Sequence, residues 1–224
     1  MMSALQGIVA REFMPDPILR AGSSARPMIC EIELEELARN YGYPLRRTYT
    51  IEADEYIRSY RWQPQSDRRA EVVFAMQDPS DKLWMHCKAH YPSHLSRLPS
   101  GGVGWDESIY AALLREVDEE TGLQISIERF IGLLEYQFHC NGSIARFASY
   151  IFHVRCTCSP TVPDSGEIHA FRAIRPSQLL QLTVDMRNMM GERRGWGQWR
   201  SLAHDVVYDY LSDIGPDQTC CAND

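Results

Sequence analysis

The stretch GGVGWDESIYAALLREVDEETGL, residues 101–123, decides how the rest of the chain is read. It opens in a glycine-rich loop, Ser100–Gly104, and passes into a helical pattern over Glu107–Thr121. Ile109, Leu113 and Val117 fall on one apolar stripe, and Gly122 stands where a left-handed C-terminal cap belongs. Glu116, Glu119 and Glu120 are related by three and four positions, so they share one face of that helix. Like charges at this spacing repel by about 0.2–0.5 kcal/mol per pair. They also occupy the last turn, where the helix dipole favours Lys or Arg. A merely solvated acidic face fits both facts poorly, whereas a bound cation removes the conflict. Mg²⁺ takes one or two carboxylates together with water and phosphate oxygens, and a carboxylate cluster beside a glycine loop suits that use.

Working outward, Ala70–Gln77 and Leu83–Tyr91 are rich in Val, Phe, Trp and Met around a Pro79 turn, and read as strands. Downstream, Ile125–His139 and Ser143–Cys158 read as strands joined at Asn141-Gly142, a strong two-residue hairpin signal. A loop with Pro160 and Pro163 precedes a strand at Glu167–Ile174. Pro176 then opens a short helix ending near Leu182. The last helix lies around Gln198–Leu211, with Leu202, Val206 and Tyr210 inward. Upstream, residues 1–28 read as an extended arm. Two amphipathic helices follow, with Leu34, Leu37, Ala38 and Tyr41 on one face and Ala53, Tyr56, Ile57 and Tyr60 on the other. The division is an N-terminal arm and helical extension (1–66), a central domain (67–182) and a C-terminal helical extension (183–224).

A length of 224 residues suffices for one well-cored domain with extensions. The net charge of −7 argues against a general polyanion binder, so no duplex nucleic acid is expected as partner. One small phosphorylated ligand remains compatible, because bound metal reverses the local sign. No run of about 18 apolar residues exists, so no membrane partner is expected, and the N-terminus lacks a signal-peptide pattern. Seven cysteines without framework spacing point to reduced thiols in a cytoplasmic protein.

The spacing Gly101, Glu107, Arg115-Glu116, apolar Val117, Glu119-Glu120, Gly122, apolar Leu123 resembles the box of the Nudix hydrolases at every specified position. Seven fixed residues and two apolar sites coincide by chance on the order of once per billion windows. The surrounding order of elements agrees over roughly residues 69–182. The resemblance implies an α/β fold, a Nudix-like α/β/α sandwich around a mixed β-sheet. It implies metal-dependent hydrolysis of a phosphoanhydride bond in a nucleoside diphosphate linked to another moiety, with Mg²⁺ (or Mn²⁺) as cofactor. Residue by residue, Glu116, Glu119 and Glu120 match the metal ligands, and Glu116 is also a candidate base. Arg115 matches the arginine that orients the carboxylates, Glu107 supports the loop, and Gly101 stands where a backbone carbonyl faces the metal. Ser100 departs from the second glycine of many members and is assigned no role. Glu167 is either an extra catalytic or metal carboxylate, as some members keep, or a solvated strand end. A Nudix-fold ligand-sensing domain, binding a nucleotide without turnover, is the alternative; a complete set of Arg115, Glu116, Glu119 and Glu120 favours the enzyme.

Other features read as packing. His86, His90 and His94 would make a metal face only on a helix, and Pro92 opposes one. Cys156 and Cys158 share a strand face, Cys220-Cys221 sits in a polar tail, and Trp196 or Trp199 anchors the last helix rather than stacking a base. The apolar faces of residues 31–60 need burial, and a homodimer is expected to provide it.

Overall fold

Every residue of Ala70–Gln77 is buried, and its alternation divides the molecule into two cores. Val73 and Ala75 enter one, Val72, Phe74 and Met76 the other. The computed structural model describes residues 8–10, 27–63, 68–88, 91, 95–164 and 166–214. In chain order the strands are β1 (Ile8–Ala10), β2 (Leu45–Glu52), β3 (Ala70–Gln77), β4 (Leu83–Cys87), β5 (Ser100–Val103), β6 (Ile125–Cys140), β7 (Ser143–Cys156) and β8 (Ala170–Ile174). The α-helices are α1 (Glu31–Tyr41), α2 (Glu55–Arg61), α3 (Ile109–Thr121), α4 (Pro176–Arg187) and α5 (Arg194–Ile214).

The strands form one mixed sheet in the order β1-β2-β6-β7-β3-β4-β8, with β5 paired to β3 off that path. β2–β6 and β3–β7 are parallel, and the other pairs antiparallel. The expected α/β/α sandwich is therefore present. Helices α1 and α3 cover one face, with Leu34, Leu37, Ile109, Leu113 and Val117 against Phe130, Leu133 and Phe152. Helices α2, α4 and α5 cover the other, around Ile57, Leu179, Trp199 and Val207. Each fully buried Leu, Val, Ile or Phe stabilises by about 1.5–3 kcal/mol, so neither layer is dispensable.

At β3 the sheet forks. Its residues 70–73 pair with β5, while Met76 and Gln77 pair with Trp84 and Leu83 of β4. One arm of the fork, β5, carries Gly101–Val103 of the motif and packs against α3.

Local signals act as the sequence implies. Ser108 Oγ accepts the Ala111 N–H at 3.1 Å, so α3 starts at Ile109 and Glu107 lies just ahead of it. Gly122 ends the helix at φ 66°, its N–H donating to Asp118 O at 2.8 Å. Asn141 and Gly142 both adopt positive φ, as the β6–β7 hairpin requires.

Several element readings change, and the strands expected to reach Tyr91 and Cys158 end at Cys87 and Cys156. The N-terminal extension contains, between its two helices, the strand β2, paired with β6 over eight residues. Ser100–Val103 is a strand, because β3 supplies its pairing, although its residues carry no strand signal of their own. The α4 helix runs to Arg187 instead of Leu182, with Thr183 and Met186 buried, and α5 begins at Arg194. The last strand begins at Ala170, leaving Glu167 outside it. The faces that suggested a homodimer are covered within the chain, since Leu37 and Ile57 each lie in an internal core. Most of residues 1–28, His90, Pro92, His94 and Cys220-Cys221 lie outside the described residues. Among the described residues, no helix is long and apolar enough to cross a membrane.

Candidate active site

Arg115 is the hub of the motif. Its Nε and Nη2 donate to the two oxygens of Glu107 at 2.8 and 2.9 Å, and Nη2 also donates to Gly102 O at 2.9 Å. Its Nη1 donates to Glu116 Oε1 at 2.9 Å and to Glu119 Oε2 at 3.0 Å, the expected four-apart pair. The hydrogen bonds from Arg115 hold Glu107 below the usual carboxylate range. In turn Glu107 Oε2 accepts the Gly104 N–H at 3.2 Å, so it supports the loop as expected.

The three glutamates of α3 differ in environment. Glu119 is more than half exposed and its resolved partner is Arg115. Glu116 is largely buried, and desolvation raises its pKa against the opposing pull of Arg115. Glu120 is buried, and desolvation pushes it up to about 7 despite Lys88 and Arg97 nearby. Lys88 Nζ stands 3.7 Å from Glu120 Oε1, and His86 Nδ1 stands 3.5 Å from Oε2. Glu120 Oε2 is buried without a hydrogen-bond partner. Lys88 and the Ser100 backbone only partly offset the cost of burying this carboxylate, and an added cation would offset more of it.

Gly101 gives Glu116 its room. A Cβ built there would lie 1.8 Å from Glu116 Cδ. Its backbone has an ordinary negative φ, so the requirement is space alone. Gly101→Ala is therefore expected to displace the carboxylate and lower turnover about a hundredfold, the cost of an ångström-scale misplacement. Circular dichroism should show the fold retained; steady-state kinetics unchanged from the parent would contradict this use of Gly101.

Oxygen donors on a desolvated face suit a hard divalent ion. Among the described residues, however, no three His, Cys, Asp or Glu side chains already converge as a metal cage. Arg115 draws Glu116 and Glu119 one way, while Glu120 faces Lys88 and His86. Glu167 is exposed and joined to Lys88 Nζ at 3.2 Å, so Lys88 links it to Glu120. Ser100 is buried and its Oγ accepts from Arg97 Nη1 at 2.9 Å, an unassigned residue with a structural bond.

Sequence reasoning missed Lys88, His86 and Arg97 as neighbours of the carboxylates. No local pattern marks them, because the fork of the sheet brings them there from 23–34 residues upstream of Glu120. Trp199 is buried edge-on to Tyr136, Phe138 and Phe147, so it anchors α5 as read. Cys156 is buried with Sγ 3.6 Å from Gln77 O, but Cys158 is exposed beyond the end of β7 and does not pack with it.

The NUDIX domain family model matches residues 67–191. The chain belongs to the Nudix family, and its fold and hydrolase class follow from that membership. A NUDIX hydrolase from Nitrosomonas europaea is similar at TM-score 0.45 and 19% identity, over 64% of this chain and 88% of that one. A MutT protein from Methanosarcina mazei Go1 gives TM-score 0.45 at 15% identity, over 65% and 94%. The E. coli dihydroneopterin triphosphate pyrophosphohydrolase gives 0.44 at 11% identity, over 64% and 95%. No curated protein matches the chain.

Proposed function

We propose that the chain hydrolyses a phosphoanhydride bond in a nucleoside diphosphate linked to another moiety, using Mg²⁺ or Mn²⁺ held by Glu116, Glu119 and Glu120 beside the Gly101 backbone. The observation that carries this reading is the pair of desolvated carboxylates, Glu116 and Glu120, on the α3 face next to β5. The bound cation supplies charge neutralisation at phosphorus and a more acidic water. The chain's own residues do the rest. Glu116 lies against Gly101 and accepts the proton of the attacking water, a task suited to a carboxylate whose pKa burial has raised. Arg115 fixes its orientation through Glu116 Oε1 and ties the helix to the loop through Gly102 O and Glu107. Lys88 balances Glu120 and Glu167.

The test is a product-resolved screen of nucleoside-diphosphate compounds with Mg²⁺ and Mn²⁺, run in H₂¹⁸O. Cleavage that needs the metal and places label in a phosphate product is expected. Tight nucleotide binding with no product at any metal concentration would instead establish a sensor.

A further inference from the structure

On the α2–α5 side of the sheet, four arginines gather around one carboxylate. Glu71 is buried; Arg200 Nη1 donates to both its oxygens at 2.6 Å, and Ser149 Oγ donates to Oε1 at 2.7 Å. Arg97, buried close by, is bonded to Ser100 and to Tyr91 OH. Arg61 and Arg68 stand at the half-buried rim. Aromatic rings join the group. Arg61 sits 3.8 Å over Phe147, Arg200 3.8 Å over Trp199, and Arg68 5.7 Å over Tyr60, whose ring is 6.1 Å from Trp199.

Four guanidiniums against Glu71 leave a surplus of positive charge in a chain whose net charge is −7. Several of their donors remain unsatisfied, although Arg68 Nη2 donates to Tyr60 OH. Arg61 Nε and Nη1, Arg68 Nε and Arg200 Nε are buried without hydrogen-bond partners. Burial, with repulsion from Arg68, lowers the Arg61 pKa to about 10. Nearby Glu120 offsets Arg97, but neither Arg61 nor Arg68 has a carboxylate bound to it among the described residues. Unpaired buried charge is retained at a cost, and the planar fork of Arg matches a phosphate.

The position is informative. Arg68 packs on Gly102, where a Cβ would meet its Nη1 at 2.7 Å, while Gly101 beside it faces Glu116. The arginines therefore lie across β5 from the carboxylates. Arg61 and Arg200 come from outside residues 67–191 and complete a cluster whose other members, Arg68 and Arg97, lie within the matched domain.

We infer that Arg61 and Arg68, backed by Arg97 and Arg200, form an oxyanion site that receives a phosphate group of the substrate. The identity of the occupant rests on the hydrolase reading above; the binding of the anion does not. The test is calorimetric titration of inorganic pyrophosphate into the full chain in EDTA, with thermal melts alongside. The parent should bind and melt higher with the anion. Arg61→Met and Arg68→Met should each weaken binding at least tenfold, and ligand-free Arg61→Met should melt no lower than the parent, because an unpaired charge has gone. Equal affinity in the parent and both variants, or no binding by the parent, would overturn the site. So would an Arg61→Met variant that melts lower yet binds fully, since Arg61 would then only pack on Phe147. Should Arg61→Met fail to fold, Arg68→Met at the rim decides alone. On any substrate turned over, both changes should raise KM more than they lower kcat. Failure of turnover with anion binding intact would remove the hydrolase reading and leave the site.

Discussion

Glu120→Gln is expected to reduce turnover at least a hundredfold and, without divalent metal, to melt higher than the parent at pH 8. The two effects share one cause. In the folded chain Glu120 titrates at about 7, against an ordinary value of 4.5. Its folded pKa is raised, so the unfolded state gives up this proton first as pH increases. Stability associated with the protonated carboxyl is complete below pH 4.5 and is lost as pH rises through 7. At about 1.4 kcal/mol per pKa unit, the penalty above pH 7 is roughly 3 kcal/mol. Glutamine cannot ionise, so it removes the penalty together with the anionic ligand. Melting curves from pH 4.5 to 8 in EDTA should show the variant's advantage growing with pH. Glu116→Gln should lose activity similarly but gain less stability, because its bond from Arg115 loses the charge of the acceptor. Near-parental activity in either variant would remove both residues from the chemistry, and a melting advantage independent of pH would refute the titration argument.

Arg69→Met is expected to destabilise the fold by about 3–5 kcal/mol, because it leaves a buried carboxylate without its main counter-charge. Arg69 is fully buried; its Nη2 donates to Glu33 Oε2 at 2.9 Å and to Glu107 O at 2.7 Å, and its Nε donates to Gly104 O at 3.3 Å. Glu33, on α1, also accepts the Ile109 N–H at 2.7 Å and so caps the first turn of α3 from another element. The N-terminal extension thus fastens the helix that bears the carboxylates. Urea denaturation should show the loss, and Arg69→Met combined with Glu33→Leu should recover much of it, since no buried charge remains. A loss below about 1 kcal/mol in the single variant would mean the pair contributes little. Deleting residues 1–60 is correspondingly severe, because it removes β2 from β6 and Asp54 from the Gly195 N–H.

What could be read in advance follows a physical division. The α3 helix was legible because a 3.6-residue stripe, an N-terminal loop and a C-terminal glycine agree. The β6–β7 hairpin was legible because Asn-Gly tolerates positive φ where few other pairs do. Strand β2 was not, since only Tyr49 and Ile51 in Leu45–Glu52 are buried, too few to mark a face. Strand β5 was hidden for the opposite reason: Ser-Gly-Gly-Val has almost no side chain to report on its partner. In the site, Arg115 and its glutamates are local and therefore visible, whereas Lys88 meets Glu167 across 79 residues.

The forked sheet has a consequence for how such a molecule can change. The carboxylates are fixed by α3 and β5, whose place is set by four pairs with β3. Lys88 and the approach to Glu167 belong instead to the β4–β8 ribbon, which meets β3 through only two pairs. The two sides of the fork are thus paired to β3 separately and meet where His86 and Lys88 approach Glu120. A lengthened connection before β8 is therefore expected to change KM among candidate compounds more than kcat, because the α3 carboxylates are held beside β5 and not by that ribbon.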